Sequence, residues 1–270
     1  MFRIAGKFPL GLFLSLIFIL VIAIDSCAPS KEAGVTPPSA GKKEITTTFK
    51  ILSLNVRHTL KEKSDVRKLT KFIKTSRAEI VTLQQIERPA EGKTGFDAVK
   101  ELAKQAEMYD YFGKARFLEG FDSGNALFSI YPVKQTSVRS LPVEKGKVRR
   151  SLAFGVVDVG LKEVGVASTE LDDQSASERL AQAEEIFSIA QSLSDVPLVV
   201  CGDFGESLSG KASAKMAERF NTANSLQEAA KISQQHVYAI KNPKIEPLSV
   251  EKLKFSGSFD ALLVTMRITQ

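Results

Sequence analysis

From Phe49 onward, short apolar runs alternate with amphipathic stretches, and this alternation constrains the fold more than any other feature of the chain. Residues 49–54 have the composition of a buried strand. Val66, Leu69, Phe72 and Ile73 then recur at helical spacing, with Ser64 placed to cap. Residues 80–86 read as a second strand, and Val99, Leu102, Ala103 and Ala106 mark a second helix. Residues 125–130 form a strand stopped by Tyr131 and Pro132. Farther on, residues 151–159 and 164–168 flank residues 160–163, which read as a hairpin turn. Ser175 and Glu178 have capping-box spacing before a helix that turns Leu180, Ile186, Ile189 and Leu193 inward. Residues 197–201 are a buried strand running into Gly202 and Asp203, and residues 259–268 are a closing strand. Elements in this order call for two packed sheets flanked by helices, a four-layer α/β sandwich.

Ahead of this domain, residues 1–9 carry Arg3 and Lys7 and no acid, and residues 10–24 are apolar apart from Gly11 and Ser15. This is the charge and hydropathy pattern of a secretory signal. The apolar run is short of the roughly 20 residues that a spanning helix needs. Ile24-Asp25-Ser26-Cys27 resembles a bacterial lipobox, although Asp25 departs from the usual pattern. The resemblance implies cleavage before Cys27, acylation of that cysteine, and anchoring to a membrane in the bacterial cell envelope, facing periplasm or exterior. A plain secretory signal and an uncleaved signal anchor are the other readings. Residues 27–48 are rich in Pro, Gly, Ser, Lys and Thr and bury too little apolar area to order themselves, so they read as a tether. The expected division is therefore residues 1–26 as signal, 27–48 as tether and 49–270 as one domain.

Composition removes several function classes. Two cysteines, Cys27 and Cys201, exclude a disulfide framework, and Cys201 sits inside an apolar run as an inert strand residue. Two histidines, His58 and His236, exclude a multi-histidine metal site. The formal charge of +6 permits an anionic partner without demanding one. No aromatic stripe is interleaved with basic residues, which argues against nucleic acid as a partner.

Six segments carry a resemblance. They are residues 51–57 (ILSLNVR), 80–87 (IVTLQQIE), 124–133 (GNALFSIYPV), 167–171 (ASTEL, followed by Arg179 and Gln182), 197–204 (PLVVCGDF) and 258–262 (SFDAL). In this order and spacing the chain resembles the endonuclease/exonuclease/phosphatase superfamily, with its deoxyribonuclease-I-like fold. The resemblance spans nearly all of residues 49–270.

Working members of that superfamily hydrolyse phosphate esters with one or two Mg²⁺ ions. Mg²⁺ takes hard oxygen ligands and keeps several waters, so one Glu and one or two Asp suffice. The metal stabilises charge on the phosphoryl and leaving oxygens, an Asp orients the attacking water, and Asn and His side chains stabilise the crowded anion. By resemblance, Asn55, Asp203 and Asp260 are retained site residues. Gln85 stands at the family's metal-binding Glu, Glu170 at its phosphate-facing His, and Gly205 at the Asn of its "G-D-x-N". No match to the closing "S-D-H" segment precedes Gln270.

These replacements imply a weakened site. Gln85 has the shape of Glu without its charge, so the Mg²⁺ cofactor is expected to bind weakly or to be lost. Glu170 puts a negative charge where an anion should sit. Loss of one transition-state donor, as at Gly205, costs on the order of 2.7–4 kcal/mol. Glu87, two residues beyond Gln85, would share its strand face, and Glu87 with Glu170 forms a possible substitute cation site. The expected function is an envelope-anchored, non-catalytic or weakly active member that binds an anionic ligand or a protein. The alternative is a Mg²⁺-dependent phosphodiesterase or phosphatase with a rearranged site. His58 reads as either a surface-loop or a cleft residue. Arg57 and Arg150 read as remnants of a phosphate-binding rim, or else as solvated or ion-paired side chains.

Overall fold

A computed structural model of the chain describes residues 44–269 apart from 161, 194, 195 and 258. The signal sequence, Cys27 and most of the tether lie outside the described residues. The order of elements is β1 (Thr46–Asn55), α1 (Lys63–Ser76), β2 (Ile80–Pro89), α2 (Ala98–Ala106), β3 (Tyr109–Leu118), β4 (Phe121–Ser129), β5 (Val133–Ser140), β6 (Ser151–Asp158), β7 (Glu163–Glu170), α3 (Ala176–Ser192), β8 (Leu198–Asp203), α4 (Lys211–Ala217), β9 (Phe220–Thr222), a 3₁₀ turn (Ala223–Leu226), α5 (Glu228–Lys231), β10 (Gln235–Ile240), β11 (Ile245–Lys254) and β12 (Asp260–Thr269). The first strand begins at Thr46, inside the segment read as tether, because residues 46–48 pair with the last residues of β12.

Two six-stranded sheets result, ordered β11-β12-β1-β2-β4-β3 and β5-β6-β7-β8-β10-β9. In each, one parallel pair lies at the centre: β1 with β2, and β7 with β8. All other named pairings are antiparallel, so both sheets are mixed. A parallel pair needs a crossover, and α1 and α3 supply them.

The core has three layers of apolar contact. Ile51, Ile80, Leu127, Val157, Val166, Val199 and Leu262 form the interface between the sheets. Leu52, Leu54, Leu83 and Phe128 face the other way, toward Val66, Leu69 and Ile73 of α1 and Val99 and Leu102 of α2. Phe154, Val156, Leu198 and Val200 meet Ala183, Ile186 and Ala190 of α3 and Met216 of α4. Helix, sheet, sheet and helix thus stack as the expected four-layer sandwich. Among the described residues no helix is long and apolar enough to cross a membrane.

Two local expectations change. The cap of α1 is Glu62, not Ser64. Asp65 Oδ2 accepts from the backbone N–H groups of Lys61 and Glu62, at 3.2 and 3.3 Å, and Ser64 donates to the Glu62 carboxylate. Ser175 does cap α3, accepting from Glu178 N–H at 3.3 Å, but Glu178 does not close a reciprocal box. Its carboxylate accepts from Glu144 N–H at 3.1 Å, and Ser175 N–H goes to Asp172 Oδ1 at 2.6 Å.

Candidate functional site

The carboxyl ends of the two parallel pairs meet at one end of the sandwich, and side chains projecting there can converge. β1 ends in Asn55, β8 in Asp203 and β7 in Glu170, while Gln85 lies in β2 one residue beyond the position paired with Asn55. Glu170 and Asp203 are register partners across β7 and β8. The apolar interface between the sheets gives way here to a polar seam. Ser53 Oγ donates to Gln235 Oε1 at 3.0 Å, Gln84 Nε2 to Ser168 Oγ at 3.1 Å, and Asn55 Nδ2 to Asp203 Oδ2 at 2.9 Å.

Asn55 and Asp203 are both buried and hold each other. Asn55 Oδ1 accepts from Arg57 N–H at 2.9 Å, and Asp203 Oδ1 accepts from Gly205 N–H at 3.0 Å. With Asp260, they line a cleft of about 310 Å³ that also includes Arg57, Ile232, Gln234, Gln235 and Phe259. The three site residues expected from the resemblance are therefore brought to one place. Asp260 is ion-paired to Lys252 at 2.8 Å, across the β11–β12 ladder. Gly205 has φ +64°, and a Cβ there would lie 2.9 Å from the Asp172 carbonyl oxygen. The position has room for glycine alone unless that backbone shifts.

Gln85 and Glu87 flank Ile86, which packs on the helix side of the sheet, but the strand between them is not regular. The β2–β4 register slips between Leu83 and Ile86, and Gln85 takes φ +55°. This is a β-bulge, which re-aims the side chain it carries. Gln85 turns to the opposite sheet and donates its amide to the Glu170 carboxylate. Glu87 meets a different set of partners. His58 Nδ1 lies 2.9 Å from one of its oxygens, and Lys61 Nζ donates to the other at 2.6 Å. Glu87 and Glu170 are thus tied to separate partners rather than forming one cation site.

Glu170 is ion-paired to Arg150, whose other terminal nitrogen lies 3.2 Å from Asp173 Oδ1. Arg150 is 4% exposed and Glu170 7%. Burial pushes the Glu170 carboxyl above its ordinary range, and nearby Asp203 adds to this, while Arg150 and Gln85 pull it back. Arg150 is therefore an ion-paired buried residue, not a solvated rim.

His58 is part-buried beside Glu87 and Arg116. Arg57 and His58 both have positive φ, and His58 N–H donates to the Gln85 carbonyl at 2.9 Å, so the loop after β1 is pinned to the bulge. Burial holds the His58 imidazole below its usual pKa, Glu87 opposes this, and Arg116 and Lys61 reinforce it. The neutral ring then has Nδ1 toward Glu87 and Nε2 toward Arg116 Nη2, 3.3 Å away. The Arg57 guanidinium lies 5.6 Å from the Phe259 ring centroid. Lys61, Arg116 and Asp173 were not singled out from the sequence, where charged residues in loops and at strand ends look like solvated ones.

A divalent cation does not fit the acids as they are arranged. Each carboxylate near Gln85 is already engaged by a cation or an N–H of this chain: Glu87 by Lys61, Glu170 by Arg150 and Asp203 by Asn55 and Gly205. Gln85 presents its N–H end to Glu170. Among the described residues no group of three or more His, Cys, Asp or Glu side chains has a metal-holding arrangement.

No family model matches the sequence, and no curated protein matches it. Solved structures do. An endonuclease/exonuclease/phosphatase from Beutenbergia cavernae is 20% identical with a TM-score of 0.68, over 82% of this chain and 72% of that one. The human Nocturnin catalytic domain with bound sulfate anion is 15% identical with a TM-score of 0.66, over 86% and 99%. An endonuclease/exonuclease/phosphatase family protein from Bacteroides thetaiotaomicron is 10% identical with a TM-score of 0.64, over 83% and 99%. At these identities the likeness carries the fold and no more. On these structures and on the two mixed sheets above, the chain has the fold of the endonuclease/exonuclease/phosphatase superfamily.

Proposed function

We propose that this chain is an envelope lipoprotein whose phosphoesterase-fold domain binds an anionic ligand or a protein and does not hydrolyse phosphate esters at a useful rate. The carrying observation is the Gln85–Glu170–Arg150 chain. It puts a carboxylate, held in place by its own guanidinium, where the superfamily pattern has a phosphate-facing His. That ion-paired carboxylate leaves no imidazole there to donate to a phosphoryl oxygen in the transition state. Gly205 supplies no side-chain donor in compensation.

Turnover of bis-p-nitrophenyl phosphate by the domain, with Mg²⁺ or Mn²⁺, is the direct test. The expected rate is no higher than that of the Asp203→Ala variant. Metal-dependent turnover that Asp203→Ala abolishes would instead establish the second reading, a metal-dependent phosphodiesterase with a rearranged site. That reading has one observation in its favour, the intact pairing of Asn55 with Asp203.

The anchor rests on the lipobox resemblance at Cys27. One acyl chain binds a bilayer only marginally, whereas two or more anchor stably. Cys27→Ser in the full chain should abolish labelling by radioactive palmitate and move the protein from the membrane to the soluble fraction. Unchanged labelling would sink the assignment.

A further inference from the structure

We infer that Arg150 and Lys61 stand in for the divalent cation of this fold, so that the site is held together by the chain's own charges and needs no metal. This rests on reading Gln85 as the place of a metal-binding acid. Without a metal, an end of the sandwich rich in acids would be left with uncompensated carboxylates. A buried carboxylate without a counter-charge is costly, and a protein must protonate it, pair it or coordinate it.

The arrangement follows the pairing route throughout. Glu170 is buried and takes Arg150 on one oxygen and the Gln85 amide on the other. The second arm of Arg150 continues to Asp173. Glu87 is buried and takes Lys61 on one oxygen, with the His58 ring on the other. Arg116 lies between the two groups, beside His58 and within electrostatic reach of Glu87, Glu170, Asp173 and Arg150. Glu87, Glu170 and Asp173 are thus faced by Lys61, Arg116 and Arg150, while Asp203 is held by the Asn55 amide and Gly205 N–H. A divalent cation entering here would have to displace a bound guanidinium or ammonium.

The exchange also explains the amide at Gln85. A glutamate at that position would put a second carboxylate against Glu170, which Arg150 alone could not neutralise. The neutral amide donates a hydrogen bond to Glu170 instead. The bulge that aims Gln85 across the seam therefore serves an ionic network rather than a coordination sphere.

Thermal melting of the domain tests this without reference to turnover. The midpoint in excess EDTA should coincide with that in millimolar Mg²⁺ or Mn²⁺, since only a ligand bound by the folded state raises it. A saturable rise with either metal would overturn the inference, even if no ester is hydrolysed. Conversely, metal-free turnover would sink the proposed function and leave this inference standing.

A double-mutant cycle supplies the second readout. Arg150→Met should lower the midpoint by roughly 10 °C, because it strands the buried Glu170 charge. Adding Glu170→Gln should restore most of the loss. If Arg150→Met does not fold, Lys61→Met with Glu87→Gln gives the same cycle at a more exposed cation. Single and double variants that melt alike in the cycle measured would overturn the inference.

Discussion

At the scale of single residues, two histidines show how far position outweighs type. His58 sits part-buried beside a carboxylate and cations, while His236 is fully buried. His236 Nε2 donates to the Glu206 carbonyl at 2.8 Å, and its Nδ1 accepts from the Tyr238 hydroxyl at 3.0 Å. The Glu206 carbonyl can only accept, so Nε2 carries the proton, and in the neutral ring Nδ1 is left to accept from Tyr238. Burial lowers the His236 pKa to about 4, although Glu206 and Asp203 pull the other way. The unfolded chain therefore takes up a proton that the folded chain resists. Stability from this group is complete above the ordinary value of 6.5 and is lost as pH falls from there toward about 4, up to about 3 kcal/mol. Denaturant melts at pH 7.5, 5.5 and 4 should show the loss, and His236→Phe should flatten that part of the profile. Equal acid sensitivity in the two proteins would refute the assignment. The raised Glu170 carboxyl works in the opposite sense, so the difference between variants is the quantity to read. The family resemblance had placed Asn55, Asp203 and Asp260 in one site, and the three line one cleft. It did not place Lys61 or Arg116, because a lysine in a loop and an arginine on an edge strand carry no mark of what they will meet.

At the scale of elements, the strongly periodic segments were legible and the weakly periodic ones were not. β1, β2, β8 and β12 are apolar runs buried on both faces, and α1 and α2 carry clear apolar stripes, so each shows in the sequence. β3 and β11 did not show. They lie at sheet edges, and their half-exposed sequences YDYFGKARFL and IEPLSVEKLK lack a continuous apolar run. The element that mattered most for chemistry was a local break in a well-read strand. Period-two reasoning did not show the bulge, beyond which Gln85 meets Glu170 while Glu87 meets His58 and Lys61. Neither residue type announces a bulge, since glutamine with positive φ is uncommon and its cause lies elsewhere. Here that cause is long-range: the Gln85 carbonyl accepts from His58 N–H in the preceding loop, and its side chain reaches Glu170 on the other sheet.

At the scale of the whole molecule, the first sheet is built from both ends of the chain and the second from its middle. The sheets share an apolar interface along most of their length and the polar seam at one end. Close approach is written into that interface: a Cβ on Gly155 of β6 would come within 2.9 Å of Leu127 Cδ2 on β4. The site draws Asn55 and Gln85 from one sheet and Glu170 and Asp203 from the other, so its geometry survives only if the sheets move as one body. Leu127→Ala tests this. Leu127 is fully buried and belongs to the first sheet, and truncating it should cost about 2–5 kcal/mol. Native-state hydrogen exchange then distinguishes two outcomes. If the sandwich opens as a unit, amides of β7 and β8 lose as much protection as those of β1 and β2. Loss confined to β1, β2 and β4 would mean that the second sheet holds without the first. In that case the seam would be a contact between two separately stable layers, and the Asn55–Asp203 and Gln85–Glu170 pairs would break at a cost well below that of global unfolding.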